Sequence, residues 1–145
     1  MFQVHDQVVD IRTDTIQGTL EGCRLVSLRD ARTGEEFLDR SLGEGVPSLQ
    51  VLHAAGTSYP LGSGFKSGIS YRRIADHILE VVLSGWDADG SLRITVDRET
   101  GDLLFEPSVH SRMRGIAALR WSIAGIRKDL DLVAPISQGF RAPLD

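Results

Sequence analysis

The sequence predicts an all-β fold, an antiparallel β-sandwich with few or no helices, and its turns are the main reason. The pattern D-x-x-T-G-[D/E] occurs at residues 30–35 and again at 97–102, each time between short segments rich in branched and aromatic residues. Asp can bond its own backbone and Gly adopts positive φ without penalty, which is hairpin-turn chemistry. A third turn is predicted at Asp87-Ala88-Asp89-Gly90, between runs that end at Leu83 and begin at Leu92. Closely spaced turns between alternating segments are typical of antiparallel sheets.

Composition and charge limit the classes of function. A length of 145 residues suits one domain, and 41% hydrophobic with 25% charged residues is ordinary for a soluble globular protein. The net charge of -4 argues against nucleic-acid partners and against an anionic membrane surface. Cys23 is the single cysteine, so no intrachain disulfide can form.

The expected localisation follows from two features that the sequence lacks, a signal peptide and a long apolar run. The first six residues have neither a basic region nor an apolar region of the kind that a signal peptide carries. No stretch approaches the roughly 20 apolar residues of a membrane span. We expect a soluble, cytoplasmic protein, with a secreted parent left open.

The first third of the chain reads as short strands. Strands are predicted near residues 7–12 and 15–20, and Cys23 to Leu28 continues as a strand into the first turn. Phe37-Leu38 is then expected to start the return strand. Branched residues of the two opening strands are the inward candidates: Val8, Val9, Ile11, Ile16 and Leu20.

The middle of the chain contains the clearest strands. Residues 48–53 alternate in part and predict a strand or a single helical turn, whereas 56–68 contain four glycines and Pro60 and predict a long loop. Residues 78–83 are dense in β-branched side chains, as in a buried strand. Residues 113–128 fit both strand and helix periodicity, and a strand is favoured because the neighbouring segments are β.

After residue 130 the sequence no longer shows regular strand alternation, and this change sets the expected domain boundary. Residues 1–130 are expected to form the sandwich, and 131–145 an extended exit segment or linker toward a following domain. Pro135, Gly139 and Pro143 are expected to break any regular element there.

No motif predicts a catalytic, cofactor or metal site. The histidines at 5, 53, 77 and 110 form no zinc-type pair, and there is no second cysteine. Nucleophile-elbow and phosphate-loop patterns are absent as well. The Asp87-Ala88-Asp89-Gly90 segment lacks the later ligands of a calcium loop in register.

The two tryptophans are given different roles. Trp121 alternates with Leu119 and Ile123, which predicts core packing. Trp86 comes after a strand end beside the polar turn, where an aromatic face can stack on a sugar ring. Trp86 and Asp87 are therefore the candidate carbohydrate-binding residues, with packing at the strand end as the alternative for Trp86.

A family resemblance is carried by residues 74–83 (IADHILEVVL), 112–116 (RMRGI), 120–126 (RWSIAGI) and 132–135 (LVAP), followed by Gly139. In this order the segments resemble the N-terminal β-sandwich module of large bacterial glycoside hydrolases, of the galactose-mutarotase-like supersandwich type. The resemblance extends over most of residues 7–140.

The resemblance implies a supporting role in carbohydrate chemistry. In that family the catalytic carboxylates lie in a barrel that comes after the module, so no catalytic residue is transferred to this chain. We therefore expect a non-catalytic accessory domain whose parent protein is a glycosidase. The expected partner is a catalytic barrel, or a second copy of the chain held through the C-terminal segment. The alternatives are a stand-alone carbohydrate-binding module and a small carbohydrate-active hydrolase.

Overall fold

A computed structural model describes residues 1–44, 49–54, 58–61, 68–84, 88–111, 115–134 and 140–143. Thirteen strands lie within these ranges. In chain order they are β1 Phe2–His5, β2 Val8–Arg12, β3 Ile16–Glu21, β4 Arg24–Asp30, β5 Leu49–His53, β6 Ser58–Leu61, β7 Ile69–Ala75, β8 Ile78–Leu83, β9 Ala88–Val96, β10 Leu103–Ser111, β11 Ile116–Trp121, β12 Asp131–Ala134 and β13 Phe140–Pro143.

The first sheet is a four-stranded meander in the order β1-β2-β3-β4, and every pair is antiparallel. Side chains alternate between its two faces because successive residues of a strand point to opposite sides. Val9, Ile11, Leu20 and Leu25 are buried on the inner face. The outer face carries polar residues, and a register shift between Thr19 and Leu20 bends β3 against β4.

The second sheet is also an antiparallel meander, in the order β10-β9-β8-β7. Leu79, Val81, Leu83, Leu92 and Ile94 are almost fully buried on one face. They join the inner residues of the first sheet in one apolar core. Packing two sheets through their apolar faces is the sandwich arrangement, and the antiparallel all-β prediction is confirmed.

A smaller third sheet, in the order β11-β5-β6, lies against the same core through Leu49 and Val51. Trp121 of β11 stacks on Phe105 of the second sheet at a centroid distance of 4.4 Å. Its indole Nε1 donates to the carbonyl oxygen of Cys23 at 3.1 Å. Trp121 therefore packs on the core, as predicted, and connects all three sheets.

Two polar side chains of β7 fasten the second sheet to the first. The Tyr71 hydroxyl donates to the carbonyl oxygen of Gln7 at 2.7 Å, and Arg73 Nη2 donates to that of Phe2 at 2.7 Å. Burial, with a smaller contribution from Cys23, raises the pKa of Tyr71, so the hydroxyl stays a donor near neutral pH.

Several predicted elements are confirmed. Strands β2, β3 and β8 lie at the positions predicted from the sequence, which are residues 7–12, 15–20 and 78–83. Residues 48–53, which predict a strand or a single helical turn, contain β5, and residues 113–128, for which a strand is favoured, contain β11. No α-helix occurs in the described ranges. Of the inward candidates, Val9, Ile11 and Leu20 are buried, whereas Val8 and Ile16 at the strand ends are only half-buried.

Other predictions were wrong in position. Ala88, Asp89 and Gly90 belong to β9, where Gly90 pairs with both Leu83 and Val109, so they are not turn residues. Phe37-Leu38 starts no return strand, and only isolated bridges, Arg29 with Glu36 and Leu38 with Ile126, lie there. Both differences arise because partner strands decide where a ladder runs, which local turn chemistry does not encode.

The expected loop at 56–68 and the expected irregular tail also contain strands. β6 lies within the first and pairs with β5. In the tail, β12 and β13 pair as an antiparallel ladder from Asp131 with Pro143 to Ala134 with Phe140. Pro143 is tolerated because it is the last residue of a strand that has a partner on one side only. The expectation that this stretch forms no regular element was wrong.

Candidate functional site

A groove of 860 Å³ lies over the outer face of the first sheet. Its floor comes from β1 to β4, and part of its rim comes from the chain just after the first D-x-x-T-G-E turn. The polar side chains that line it are Gln3, Asp10, Arg12, Gln17, Thr19, Glu21, Ser27, Arg29, Glu36 and Arg40.

Strand register sorts the groove floor into two rows. Gln3, Asp10, Thr19 and Ser27 are successive cross-strand neighbours from β1 to β4. The Thr19 hydroxyl donates to Asp10 Oδ1 at 2.9 Å, so this row is internally bonded. Cross-strand neighbours on one face lie close enough to act on a single ligand.

The second row consists of Arg12, Gln17 and Arg29 on β2, β3 and β4. It lies two residues along each strand from the first row, on the same face. An amide thus lies between two guanidinium groups, beside a row of hydroxyl, amide and carboxylate groups. This arrangement supplies hydrogen-bond donors and acceptors across the whole floor.

Glu36 forms the rim of the groove and is held by four hydrogen bonds. Its carboxylate accepts from the Ser27 hydroxyl at 2.5 Å, Arg29 Nε at 2.8 Å and the backbone N–H groups of Leu28 at 2.8 Å and Leu38 at 3.1 Å. Partial burial acts to raise the Glu36 pKa, but these bonds outweigh it and lower the pKa from its usual 4.5 to about 2. Glu36 is therefore ionised at neutral pH.

A second ion pair closes the other side of the rim. Arg40 Nη2 donates to both carboxylate oxygens of Glu21, each at 2.6 Å. Because Arg40 comes from the chain beyond β4, this contact draws that segment over the sheet face. Glu21, like Glu36, is thus engaged with an arginine.

The two D-x-x-T-G turns lie at one end of the sandwich, beside the β2–β3 loop. The backbone N–H of Ala31, in the first turn, donates to the Thr15 carbonyl oxygen at 2.8 Å. In the second turn, a methyl group added at Gly101 would lie 2.9 Å from Thr15 Oγ1. The loop therefore contacts both turns, although the turns are far apart in sequence.

The first aspartate of each turn, Asp30 or Asp97, is hydrogen-bonded to backbone N–H groups of its own turn. Backbone N–H groups of Thr33 and Arg32 lower the Asp30 pKa, and those of Thr100 and Glu99 lower the Asp97 pKa. Within the described residues, no group of three or more His, Cys, Asp or Glu side chains is arranged to hold a metal ion.

A second depression, of 650 Å³, lies on the far side of the Leu38–Arg40 segment. Its lining includes Leu42, which is 47% exposed. Arg127 crosses beneath this segment, donating through Nη1 to the Glu36 carbonyl oxygen at 2.7 Å and through Nε to Asp129 at 2.9 Å. These contacts hold the groove rim from behind.

Three carboxylates of the groove, Asp10, Glu21 and Glu36, already accept hydrogen bonds from neighbouring side chains. Glu21 and Glu36 are occupied by arginines, and Asp10 accepts from Thr19. Because Glu36 has a pKa of about 2, it cannot deliver a proton as a general acid at neutral pH. These three carboxylates can instead hold hydroxyl or cationic groups of a ligand.

The structure does not test the sequence-predicted site. Trp86 and Asp87 lie outside the described residues. The groove, in turn, was missed by sequence reasoning. Its signal is the polar half of the alternation in β2, β3 and β4, where Asp10 and Arg12, Gln17 and Thr19, and Ser27 and Arg29 share one face. Recognising it would have required the strand register.

Comparisons with known proteins return no relatives. No family model, no curated protein and no solved structure matches the chain. Across the described ranges, no helix has the length and apolar character needed to cross a membrane.

Proposed function

We propose that this chain is a non-catalytic accessory β-sandwich domain of a carbohydrate-active enzyme, and that it binds carbohydrate in the groove of the first sheet. The observation that carries the proposal is the groove floor. It presents two amides, two hydroxyls, a carboxylate and two guanidinium groups in two adjacent rows. The glycosidase setting comes from the family resemblance of the sequence.

The polar rows suit a polyhydroxylated ligand. Each sugar hydroxyl both donates and accepts, so it needs neighbouring groups of both kinds. Gln3 and Gln17 supply amides that do both, Asp10 accepts, and Arg12 donates. The volume of 860 Å³ lies within the roughly 300–1,000 Å³ of ordinary ligand sites, which leaves room for two or more sugar rings.

The state of the carboxylates supports binding over hydrolysis. A glycosidase needs one carboxyl group with a raised pKa and a second that is free to act on the sugar. In the groove, Glu36 has a lowered pKa and Glu21 is held by Arg40. We therefore expect no turnover of nitrophenyl glycosides. Activity that co-purifies with the protein and is lost on changing one acidic residue would contradict this.

Calorimetry against a panel of soluble oligosaccharides tests the binding proposal. We expect at least one oligosaccharide to bind, and Gln17→Ala to weaken it about tenfold by removing one amide from the floor. Gln50→Ala is the matched control, because Gln50 lies on β5 of the third sheet, away from the groove. Equal effects of both substitutions, or no binding across the panel, would overturn the proposal.

The proposed accessory role includes a protein partner, either a catalytic barrel or a second copy of this chain. The partner is what the family resemblance implies, and Leu104, which is 47% exposed on the outer face of the second sheet, is one apolar side chain available to such a contact. Light scattering on the isolated chain should show a homodimer. A strict monomer would leave the catalytic domain as the proposed partner.

A further inference from the structure

The arginine row of the groove includes one guanidinium group, that of Arg12, with no ion-pair partner among the described residues. Arg12, Gln17 and Arg29 are aligned across β2, β3 and β4. Neighbouring side chains in such a row are about 5 Å apart at their Cβ atoms. Long arginine side chains on either side of Gln17 can therefore reach a common ligand group above it.

Both guanidinium groups retain free donors. Arg29 uses Nε for Glu36, and among the described residues neither of its Nη groups has an acceptor. For Arg12, no carboxylate of the described chain lies within ion-pair distance. Arg40, by contrast, uses its Nη2 for both oxygens of Glu21. Among the described residues, the groove thus contains two arginines paired with glutamates, Arg29 and Arg40, and one, Arg12, without an ion-pair partner, while Arg12 and Arg29 keep N–H donors available.

Such an arrangement favours a carboxylate. The guanidinium group presents parallel N–H donors that match the two oxygens of a carboxylate, and these charge-assisted bonds are about twice as strong as neutral ones. A neutral sugar hydroxyl would use only one donor and would leave the positive charge unbalanced. The Gln17 amide can donate to the same carboxylate between the two arginines.

The neighbouring row specifies the remainder of the ligand. Gln3, Asp10, Thr19 and Ser27 run parallel to the arginine row on the same face. A carboxylate on the arginine row therefore places the atoms attached to it over amide, carboxylate and hydroxyl groups. Those groups pair with ring hydroxyls, whereas a simple inorganic anion would leave them unused.

We propose that the groove is selective for acidic saccharides, with the carboxylate of a uronic acid residue bound by Arg12, Gln17 and Arg29 and its ring hydroxyls bound by the row from Gln3 to Ser27. This inference rests on the proposed carbohydrate-binding function and names its ligand class. It makes selectivity depend on charge, which distinguishes it from binding of carbohydrate in general.

The test compares matched ligands by calorimetry on the full chain at low and moderate salt. The probes are an oligogalacturonate, the neutral galactose oligomer of the same length and sodium sulfate. We expect the oligogalacturonate to bind at least tenfold more tightly than the neutral oligomer, with the preference shrinking as salt increases, because ions screen exposed charges. Sulfate should bind far more weakly than the oligogalacturonate.

Two arginine substitutions assign the effect to the row. Arg12→Gln should reduce oligogalacturonate affinity about tenfold and affect the neutral oligomer much less, because it removes the charge but keeps a side-chain amide donor. Arg12→Lys should recover only part of the loss, because it restores charge without the planar fork. Arg120→Gln is the charge-matched control on the exposed side of β11 and should change neither affinity. Unfolding curves verify that each variant is folded.

The outcomes separate the two proposals. Equal affinity for acidic and neutral oligomers would overturn the acidic selectivity and leave carbohydrate binding intact. Sulfate that binds as tightly as the oligogalacturonate would overturn the saccharide assignment and show a simple anion site. Binding of neither oligomer would overturn the acidic selectivity, and the oligosaccharide panel would then decide whether the groove binds carbohydrate at all.

Discussion

The two D-x-x-T-G turns have the same local structure and different continuations. In the first, Asp30 Oδ1 accepts from the N–H groups of Arg32 and Thr33, each at 2.8 Å. In the second, Asp97 Oδ1 accepts from Glu99 at 2.8 Å and Thr100 at 3.0 Å. In each turn the Thr hydroxyl also accepts from the backbone N–H group two residues later, that of Glu35 or Asp102, at 3.2 Å. The six-residue pattern thus encodes one turn, regardless of its surroundings.

The chain segments beyond the two turns pair differently. After the second turn, β10 pairs with β9 over nine residues, from Leu103 with Val96 to Ser111 with Ala88. After the first turn there is a single bridge, Arg29 with Glu36. There the Glu36 side chain takes the N–H groups of Leu28 and Leu38, so a carboxylate occupies positions that a strand's carbonyl groups would fill.

Turn residues and strand residues therefore make separate contributions to a hairpin. Residues 103–109 alternate between half-buried and exposed side chains, which supports a long ladder. After Glu35 the sequence is Glu36-Phe37-Leu38-Asp39, and of these residues Glu36 and Leu38 line the groove. The same turn is followed by a long hairpin in one place and by the rim of the groove in the other.

Removing the Glu36 side chain should give the largest difference in stability between changes at the first turn and changes at the second. Glu36→Ala leaves the Leu28 and Leu38 N–H groups without their acceptor, and we expect a loss of about 3 kcal/mol in the free energy of unfolding. Urea unfolding monitored by circular dichroism measures it. Glu99→Ala, at an exposed position of the second turn, is the control and should change little. Equal losses would mean that Glu36 has no special role.

Lowering the pH should also reduce stability through Glu36, by less than the Glu36→Ala substitution does. The pKa of Glu36 is lowered from 4.5 to about 2 on folding, so the unfolded chain binds more protons between these pH values. Stability from this group is complete above pH 4.5 and falls as pH drops toward 2. We expect the wild type to lose about 2 kcal/mol more than Glu36→Gln across that window, allowing for solvent screening of a partly exposed group. Parallel pH profiles of the two proteins would contradict this.

The paired glycines distinguish the two turns by a single contact. Gly34 and Gly101 have φ of +74° and +77°, so an alanine at either is strained by about 1 kcal/mol. At Gly101 the new methyl group would also meet Thr15 Oγ1 at 2.9 Å, whereas at Gly34 nothing lies within 4 Å. We expect a loss of about 1 kcal/mol for Gly34→Ala and about 2 kcal/mol for Gly101→Ala by thermal unfolding. A larger loss at Gly34 would refute the contact.

The smallest effects are expected for the turn aspartates. Asp30→Asn and Asp97→Asn keep a side-chain oxygen that can accept the two backbone N–H groups. Both substitutions should therefore lower the melting temperature slightly and by the same amount. A clear difference between them, measured at neutral pH, would show that the two turns are not equivalent.

Much of the fold could be predicted from sequence, because turns and alternation are local. The turns at Asp30 and Asp97 and the central strand at 78–83 can be recognised from a few neighbouring residues. The β5–β11 pairing could not be predicted, since it joins distant segments of weak periodicity. The turn predicted at Gly90 was wrong for a related reason. An Asp-Gly pair inside a strand has the same sequence as an Asp-Gly turn, and only the pairing of the strands distinguishes the two.

The candidate site was less predictable than the fold. Gln17 and Thr19 look like ordinary exposed strand residues until the register puts them between Asp10, Arg12, Ser27 and Arg29. A single sequence shows which residues face solvent and does not show that four strands place them together. The Glu36 rim depends in addition on a chain segment that forms no strand.

The order of strands in the third sheet has a consequence for synthesis of the chain. The first and second sheets join strands that are consecutive in sequence, so each can form as soon as its own segment leaves the ribosome. β5 is different, because one of its edges pairs with β11, which ends at Trp121. Until then the apolar segment Leu49–His53 has an open strand edge, the kind of surface through which nascent chains aggregate. Slow translation between residues 53 and 116 would therefore lengthen the exposure of that edge, without changing the stability of the finished domain.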